Sequence, residues 1–444
     1  MSKSTLQPQT VNLAEWSDVS IPVELTERDR RLVGRLRAKR QLEVEELRAG
    51  VRVSSRSWVG VVRFERFEVR VQPKLAGDAI GVAQMLDFTH GIEQVRRTAG
   101  EQHLATNDTK DLFELLALLL LEETERVVRG GFVADYQTHD SELGVVRGRI
   151  LVDRQLLVRF GQVDRVWCRF DELEHDTDEN RLLGRALLEC ARRIRSERLH
   201  RRLRALSAVF QEVCDPEAID LTTARKAFVY DRKNAHYERA HQLAWLILDA
   251  LGIEDVFAAN EQAKCFAFML DMNVLFEHFI TRLVSAILPR GEYRVQAQER
   301  NRSVLWDAVR HSPYGSIRPD LVVRHAAEKG RAVPIDAKYK RYDKKDLSSA
   351  DIYQGLLYAQ AYGRTDLGET PIALIVHPTG SAKLAVERIE LQRPGIGRAA
   401  ELVVVGLPVK LTLECLRARK PSPADAIRDT VVQALATPGM VAVV

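Results

Sequence analysis

Two short stretches near the C-terminal end decide how the last third of the chain folds: RPDLVV (Arg318–Val323) and PIDAKYK (Pro334–Lys340). Each is typical of a short strand, and the Glu-Lys-Gly between them is typical of a turn. Strands joined by such a tight connection pair antiparallel. Because side chains two apart on a strand share a face, Asp336 and Lys338 project together, and Asp320 can reach the same point from the neighbouring strand. The pattern predicts two carboxylates and an ammonium group that converge at a strand end.

This grouping suits Mg²⁺-dependent cleavage of phosphodiesters, with Mn²⁺ as an alternative ion. A hard cation binds oxygen ligands, usually one or two carboxylates together with waters and substrate phosphate oxygens. We expect Asp320 and Asp336 to be ligands, with the backbone carbonyl of Ala337 as a further one. The metal lowers the pKa of a bound water, and Lys338 can orient that water or stabilise charge on the phosphate. The alternative is a surface hairpin in which Asp320 and Lys338 form an exposed ion pair that contributes little.

Polar residues on two predicted helices can complete this site. In the helix that follows the second strand, Asp351, Gln354 and Tyr358 share one face and can bind the backbone of the cut strand. The alternative is that they form a simple polar stripe. Glu277 lies in the apolar helical stretch LFEHF, where a partly buried carboxylate needs a partner. That partner is either a metal ion, directly or through a water, or a distant arginine.

Basic and aromatic residues alternate directly after the second strand, in KYKRYDKK (Lys338–Lys345). Such a stretch can bind phosphates and stack on an unpaired base, with Tyr339 and Tyr342 as the stacking residues. A second basic run, at 192–204, is more typical of a solvated helix face than of a DNA or protein contact. The candidate DNA contacts are Lys340, Arg341, Lys344 and Lys345.

The rest of the sequence predicts an α+β, multidomain chain. Alternation of apolar and charged residues from Phe67 onward indicates strands of a small β-rich N-terminal domain, which follows a polar, extended lead-in over residues 1–30. The middle is mostly helical, and the C-terminal segment predicts an α/β domain with a mixed sheet. The three predicted segments are 1–100, 101–262 and 263–444.

Individual elements of the last two segments follow from periodicity and from helix-ending residues. The middle segment is predicted to contain helices at 111–131, 179–210 and 236–251, and a hairpin or strand at 144–156. The C-terminal segment is predicted to contain helices at 266–288 and 349–362, strands at 294–298, 317–324, 332–338 and 371–378, and a tail with one more strand, a helix and loops.

Composition narrows the class of protein further. The 444 residues are 45% apolar and carry a formal net charge of +4, which indicates folded domains and permits, without requiring, a nucleic-acid partner. No GxxxxGK[ST], HExxH or GxSxG motif occurs, so we expect no P-loop nucleotide hydrolase in this chain. The cysteines are sparse and the longest apolar stretch, Leu115–Leu121, is too short to span a bilayer. We therefore expect a cytoplasmic protein without a membrane contact.

Taken in order, these residues resemble the McrC family, the nuclease subunit of the McrBC modification-dependent restriction system. The resemblance spans most of the chain. Its C-terminal words RPD, IDAK and YQGLLY are similar to those of the PD-(D/E)xK nuclease superfamily. The upstream blocks that carry it are FEVRVQPK (Phe67–Lys74), VVRGRI (Val145–Ile150), DTDENRLLGRAL (Asp176–Leu187), RKNAHYERAHQLAWLIL (Arg232–Leu248) and FMLDMNVLFEHFI (Phe268–Ile280).

The resemblance implies a restriction-endonuclease-like PD-(D/E)xK domain at the C-terminal end. The N-terminal and middle parts would dock on the central channel of a hexameric AAA+ GTPase, McrB, and stimulate the GTP hydrolysis that drives translocation to cleavage. That partner would recognise 5-methylcytosine in double-stranded DNA. In the nuclease domain, Asp320 and Asp336 would hold Mg²⁺, Lys338 would be the catalytic lysine, Glu277 the helix acid, and Gln354 and Tyr358 the residues of the helix after the core.

Two other functions remain open. One is a non-catalytic adaptor that regulates an AAA+ motor through a degenerate nuclease fold, and the intact set of Asp320, Asp336 and Lys338 argues against it. The other is a stand-alone DNA repair or mobile-element nuclease of the same superfamily. Genomic adjacency to an AAA+ GTPase gene would argue against the second alternative.

Overall fold

The computed structural model describes residues 9–74, 79–90, 112–162, 164–252, 265–327, 331–340, 342, 346–363, 370–395 and 397–436. The strands are β1 (Gln9–Ala14), β2 (Asp18–Ile21), β3 (Leu42–Leu47), β4 (Gly50–Ser55), β5 (Trp58–Arg63), β6 (Phe67–Gln72), β7 (Asp135–Leu143), β8 (Arg149–Ile150), β9 (Val166–Glu174), β10 (Phe266–Asp271), β11 (Tyr293–Ala297), β12 (Trp306–Asp307), β13 (Ser312–Pro313), β14 (Leu321–His325), β15 (Ala332–Ala337), β16 (Ile372–Pro378), β17 (Ala385–Arg393) and β18 (Gly397–Leu407).

The described helices lie between and after these strands. They are α1 (Glu27–Ala38), α2 (Ala79–His90), α3 (Leu112–Gly130), α4 (Val152–Val158), α5 (Asp178–Arg193), α6 (Glu197–Val213), α7 (Leu221–Ala227), α8 (Glu238–Leu251), α9 (Met272–Ile287), α10 (Ser349–Tyr362), α11 (Val409–Ala418) and α12 (Asp425–Leu435). None of these helices combines the length and the apolar character that crossing a membrane requires.

The chain folds as two compact units. The first unit contains residues up to 112 and from 269 onward, and the second contains 113–268. In the chain, the second unit is inserted between the two parts of the first. The architecture is a mixture of helices and several sheets, as expected for an α+β protein.

The main sheet of the first unit has six strands in the order β11-β14-β15-β16-β18-β17. β14 pairs antiparallel with β15, as predicted, and β15 pairs parallel with β16, so the sheet is mixed. α10 connects β15 to β16 and packs on the sheet through Tyr358, Ala359 and Tyr362, which join the buried cluster around Leu402. A Cβ on Gly355 would lie 2.6 Å from Leu402 Cδ1, so this glycine allows the close approach of helix and sheet.

The N-terminal part of the first unit holds two smaller sheets, β1-β6-β5-β10 and β2-β4-β3. The extended lead-in expected over residues 1–30 is wrong for its described part, from Gln9 onward, because β1 pairs in parallel register with β6, Gln9 opposite Phe67. A partner so distant in sequence leaves no trace in local periodicity. Residues 1–8 lie outside the described residues. β6 ends at Gln72, before Pro73, which has no backbone N–H to donate to a sheet.

Three further element predictions need correction. The helix expected at 266–288 begins only at Met272, because its first six residues form β10. The helix expected at 179–210 is two helices, and Ile194 between them is extended (φ −68°, ψ 137°). The hairpin or strand expected at 144–156 is the two-residue strand β8 followed by α4.

The boundaries of some predicted elements also differ from those observed. β14 starts at Leu321 and not at 317, and the tail contains two strands and two helices, β17, β18, α11 and α12. The second unit carries the sheet β7-β9-β8 besides its helices. The helix at 349–362 is where it was predicted, since the Ser348 side chain accepts a hydrogen bond from Asp351 N and caps it.

Candidate functional site

Asp320 and Asp336 lie at the same edge of the six-stranded sheet, where β14 begins and β15 ends. The antiparallel register places Leu321 opposite Ile335, so the residues just outside this pair come close. Asp320 Oδ2 accepts a hydrogen bond of 2.7 Å from the backbone N–H of Ala337. The two predicted carboxylates are thus brought together by one strand pair.

Lys338 joins them immediately after β15. Its backbone N–H donates to Val376 O of β16 at 2.9 Å, which fixes the backbone at the strand end. Its Nζ lies 2.6 Å from Asp336 Oδ2. Burial lowers the pKa of Lys338, but the Asp336 and Asp320 carboxylates more than offset this, and the net pKa is raised. The amine therefore stays charged beside the two acids.

The site holds an excess of negative charge. Burial and the neighbouring Asp336 and Glu277 carboxylates raise the pKa of Asp320 to about 7, against the opposing effects of the Ala337 N–H and Lys338. Carboxylates that repel one another at low dielectric are stabilised by an added cation. The electrostatics of the site therefore fit a bound metal ion.

Glu277 projects from α9, whose first turn is capped by the Asp271 side chain. Burial raises the pKa of Glu277, and the charges of His278 and Arg318 oppose the rise, while Asp336 adds to it. Among the described residues, no basic side chain forms an ion pair with Glu277 within 4 Å. The arginine partner that the sequence left open is therefore not in contact, and only Arg318 acts on Glu277, through its charge at longer range. Glu277 is close enough to feel the charges of Asp320 and Asp336.

The donor set matches a magnesium site of low protein ligation. Within the described part of the chain, no group of three or more His, Cys, Asp or Glu side chains is close enough together to hold a metal ion. Mg²⁺ commonly uses one or two protein carboxylates and completes its shell with waters and substrate phosphates. Asp320 and Asp336 could supply these two carboxylates.

Gln354 and Tyr358 act on the segment that leads into Asp320. The Tyr358 hydroxyl is buried, donates to Arg318 O at 3.2 Å and accepts from Gln354 Nε2 at 2.8 Å. Neither side chain has a hydrogen bond to the acidic pair among the described residues. Asp351, predicted on the same helix face, instead binds Lys340, Tyr342 and Ser348.

Asp351 accepts hydrogen bonds from several residues that follow Lys338. Lys340 Nζ lies 2.8 Å and 3.1 Å from its two oxygens, and the Tyr342 and Ser348 hydroxyls also donate to it. Burial raises the pKa of Asp351, but these donors outweigh it and hold the pKa at about 2. Of the four predicted DNA contacts, Lys340 is therefore ion-paired. Arg341, Lys344 and Lys345 lie outside the described residues.

The stacking role predicted for Tyr339 is wrong, and the contact that Tyr339 makes identifies Glu15, a residue that the sequence did not suggest. It is buried at 2% exposure, so it cannot stack on a base. Its hydroxyl donates at 2.9 Å to Glu15 Oε2, 324 positions away, and the same oxygen accepts from Lys74 N at 2.7 Å. No local signal in the sequence could have paired Glu15 with the site.

A family model described as McrBC 5-methylcytosine restriction system component matches residues 53–377. The chain belongs to this family. The matched range is well over half of the 444 residues and contains every predicted site residue from Glu277 to Tyr358. A search of curated proteins finds no match.

Two solved structures of Thermococcus gammatolerans complexes are similar to this McrBC-family chain. One is a chain of the refined half-complex from the tetradecameric assembly of T. gammatolerans McrB AAA+ hexamers with bound McrC, with 19% identity and a TM-score of 0.60. The match covers 90% of this chain and 94% of that one. A chain of the T. gammatolerans McrBC complex has 20% identity and a TM-score of 0.45, with 62% and 87% covered. The first similarity shows a shared fold.

Proposed function

We propose that this McrBC-family chain is the Mg²⁺-dependent endonuclease subunit of a 5-methylcytosine-dependent restriction complex, acting on double-stranded DNA in the cytoplasm. The observation that carries the proposal is the meeting of Asp320, Asp336 and Lys338 at one sheet edge. A buried acid, Asp336, with the half-buried Asp320 and a half-buried, retained ammonium group is suited to phosphodiester hydrolysis. The PD-(D/E)xK interpretation of the C-terminal domain belongs to this proposal.

Asp320, Asp336 and the Ala337 carbonyl would hold the metal, Mg²⁺ or Mn²⁺, and Glu277 would act through a water. When bound, the ion would neutralise phosphate charge and lower the pKa of the attacking water. Lys338 remains protonated and donates to a phosphate oxygen that gains charge as the water adds. Asp336, 2.6 Å from that amine, holds it in position.

The helix residues would serve the site indirectly. Tyr358 fixes the backbone of Arg318, two residues before Asp320, by its hydrogen bond of 3.2 Å. Gln354 in turn orients the Tyr358 hydroxyl and is partly exposed, so its amide can contact the cut strand. Lys340 would reach phosphate only by leaving Asp351.

The partner would be an AAA+ GTPase hexamer of the McrB type. The T. gammatolerans assembly that shares this fold contains McrB AAA+ hexamers with bound McrC. In the second unit of the present chain, residues around α4 expose large apolar side chains, with Leu157 at 86% and Phe160 at 82% exposure. Exposed apolar side chains in such number mark a protein contact. The partner would read the methylated base and drive translocation by GTP hydrolysis.

The test is DNA cleavage by the full chain together with its AAA+ partner, with Mg²⁺, GTP and methylated duplex. We expect Asp336→Ala and Lys338→Ala each to abolish cleavage and to leave stimulation of the partner's GTPase intact. Lys410→Ala, at an exposed lysine of α11 in the same unit, is the matched control and should cleave normally.

Each alternative function predicts a different result. Stimulated GTP hydrolysis without any Mg²⁺- or Mn²⁺-dependent cleavage by the wild-type chain would identify a non-catalytic adaptor. Cleavage that needs neither partner nor GTP would identify a stand-alone nuclease. Retained cleavage in both site variants would overturn the assignment of the site.

A further inference from the structure

The segment between β11 and β14 forms a hairpin, residues 300–318, that exposes large apolar side chains. β12 and β13 pair antiparallel, with Trp306 opposite Pro313. Trp306 is 55% exposed, Tyr314 76% and Val309 89%. Apolar side chains that stay exposed together on an ordered element indicate a surface that a partner covers.

This hairpin is held in one conformation at both ends. At its root, Asn301 and Ile317 exchange two backbone hydrogen bonds of 2.9 Å, and Ile317 is buried in the core of the main sheet. At its tip, Asp307 Oδ1 accepts from the N–H groups of Val309 and Arg310, both at 2.9 Å. A binding element that is ordered beforehand loses little conformational entropy when its partner arrives.

The hairpin is also strongly basic. Residues 300–318 contain four arginines and a single carboxylate, Asp307. Within the described ranges, Arg302 has neither an ion pair nor a hydrogen bond, and Arg310 lies 3.8 Å from Asp307 with its side chain 81% exposed. Such a loose, exposed pair contributes little, so both guanidinium groups can bind a polyanion.

The position of the hairpin connects it to the candidate site. At its start, Gln298 N donates to Asp320 O at 2.8 Å, and at its end Arg318 stands two residues before Asp320. The same backbone that presents the metal-binding carboxylate therefore carries the exposed ribbon. The root of the ribbon is joined directly to the segment that carries Asp320.

We propose that hairpin 300–318 binds a groove of duplex DNA beside the phosphate to be cut. The proposal rests on the proposed nuclease function and names the element that engages its substrate. A two-stranded antiparallel ribbon has the width that the major groove admits. Arg302 and Arg310 contact phosphates, and Trp306 packs against bases or sugars between them.

The test is equilibrium binding of a fluorescent duplex by the full chain in metal-free buffer over a range of salt concentrations. Each lost phosphate contact lowers the slope of log affinity against log salt by about 0.9. Arg302→Ala with Arg310→Ala should therefore reduce the slope by about 2. Trp306→Ala should weaken binding about tenfold with the slope unchanged, because its apolar surface is no longer buried in the groove, and Trp306→Phe should weaken binding much less.

Arg393→Ala, at an exposed arginine that ends β17, is the matched control and should bind as the wild type does. Wild-type affinity and slope in the hairpin variants, while the wild-type chain cleaves DNA, would overturn the hairpin and leave the nuclease standing. DNA binding that depends on the hairpin, without Mg²⁺-dependent cleavage, would overturn the nuclease function and leave the hairpin as a DNA-binding element. Loss of binding to the AAA+ partner alone would make the hairpin a protein contact and overturn the proposal.

Discussion

At the scale of single residues, the Tyr358 hydroxyl is the link between α10 and the segment before Asp320. It is buried, accepts from Gln354 and donates to Arg318 O. Tyr358→Phe removes both hydrogen bonds and leaves the Arg318 carbonyl without this donor. We expect the free energy of unfolding to fall by about 1 kcal/mol, as measured by chemical denaturation.

The same change should slow DNA cleavage, because a shift of the Asp320 segment misaligns the reacting groups. Tyr353→Phe, at an exposed tyrosine on the same helix, should change neither stability nor cleavage. If Tyr358→Phe loses stability and cleaves at the wild-type rate, Tyr358 supports the fold and has no positioning role. Comparing the cleavage rate at saturating DNA with the affinity for DNA separates positioning from binding.

His241 makes the stability of the second unit depend on pH. It is fully buried, its Nε2 contacts Glu179 O at 3.0 Å and its Nδ1 contacts Tyr230 OH at 3.0 Å. Burial lowers the pKa of His241 from 6.5 to about 4, and the nearby charge of His236 acts in the same direction. The folded state therefore holds a neutral imidazole at pH values where the unfolded chain binds a proton.

Stability should consequently fall as the pH drops through 6.5 towards 4, since the unfolded chain binds more protons in this window. The loss attributable to His241 is about 3 kcal/mol. Denaturation of the full chain at a series of pH values, followed by near-UV circular dichroism, measures it. His241→Gln should flatten this part of the profile, and an unchanged slope would contradict the assignment.

At the scale of elements, the N-terminal strands support the loop that carries the candidate lysine. Glu15 follows β1 and accepts from Tyr339, one residue after Lys338, and from the backbone of Lys74 beyond β6. Tyr339→Phe takes one donor from a fully buried carboxylate, which costs about 1–3 kcal/mol. We expect lower stability together with slower cleavage, because the Lys338 backbone loses a support.

Tyr342→Phe tests whether the effect belongs to Tyr339 or to any tyrosine near the lysine. Tyr342 donates to Asp351, which keeps Lys340 and Ser348 as further donors, so this change should be milder. Cleavage by Tyr339→Phe at the wild-type rate, with Tyr342→Phe impaired, would place the support in the α10 network instead.

Local sequence predicts those elements whose stabilising contacts lie between residues close in sequence, and it misses those whose contacts lie far apart in sequence. The start of the helix at 349–362 is marked locally, because the Ser348 side chain caps it. The antiparallel pair β14–β15 followed from the short connection between two apolar runs. The parallel pairing of β1 with β6 and the contact between Glu15 and Tyr339 join residues far apart in sequence. The break at Ile194 is equally invisible in a continuous helical pattern, since its extended backbone is set by how α5 and α6 pack.

In the candidate site, too, some features follow from local sequence and others depend on tertiary packing. Asp336, in β15, and Lys338, directly after it, are two residues apart and could be placed together from their spacing alone. That Lys340 is ion-paired with Asp351, and that Tyr339 is buried, depends on the packing of α10 and of the N-terminal sheet. The basic run after Lys338 therefore looked more exposed in the sequence than its described members are.

At the scale of the whole molecule, the chain combines a unit that carries acidic and basic site residues with a unit that exposes several large apolar side chains around α4. In the second unit, Leu157 and Phe160 are more than 80% exposed, and such side chains contribute nothing to folding where they stand. A division of labour between DNA chemistry and partner docking follows from the proposed function.

Leu157→Ser combined with Phe160→Ser should therefore abolish binding to the AAA+ partner and the stimulation of its GTPase. The free energy of unfolding should stay within about 0.5 kcal/mol of wild type, as for most surface substitutions. Co-purification and a GTPase assay measure the loss. Val229→Ser, which replaces another apolar side chain of the same unit at 76% exposure, is the matched control and should leave both intact. If the double variant binds and stimulates the partner normally, this apolar surface is not the docking site, and the partner must contact another part of the chain.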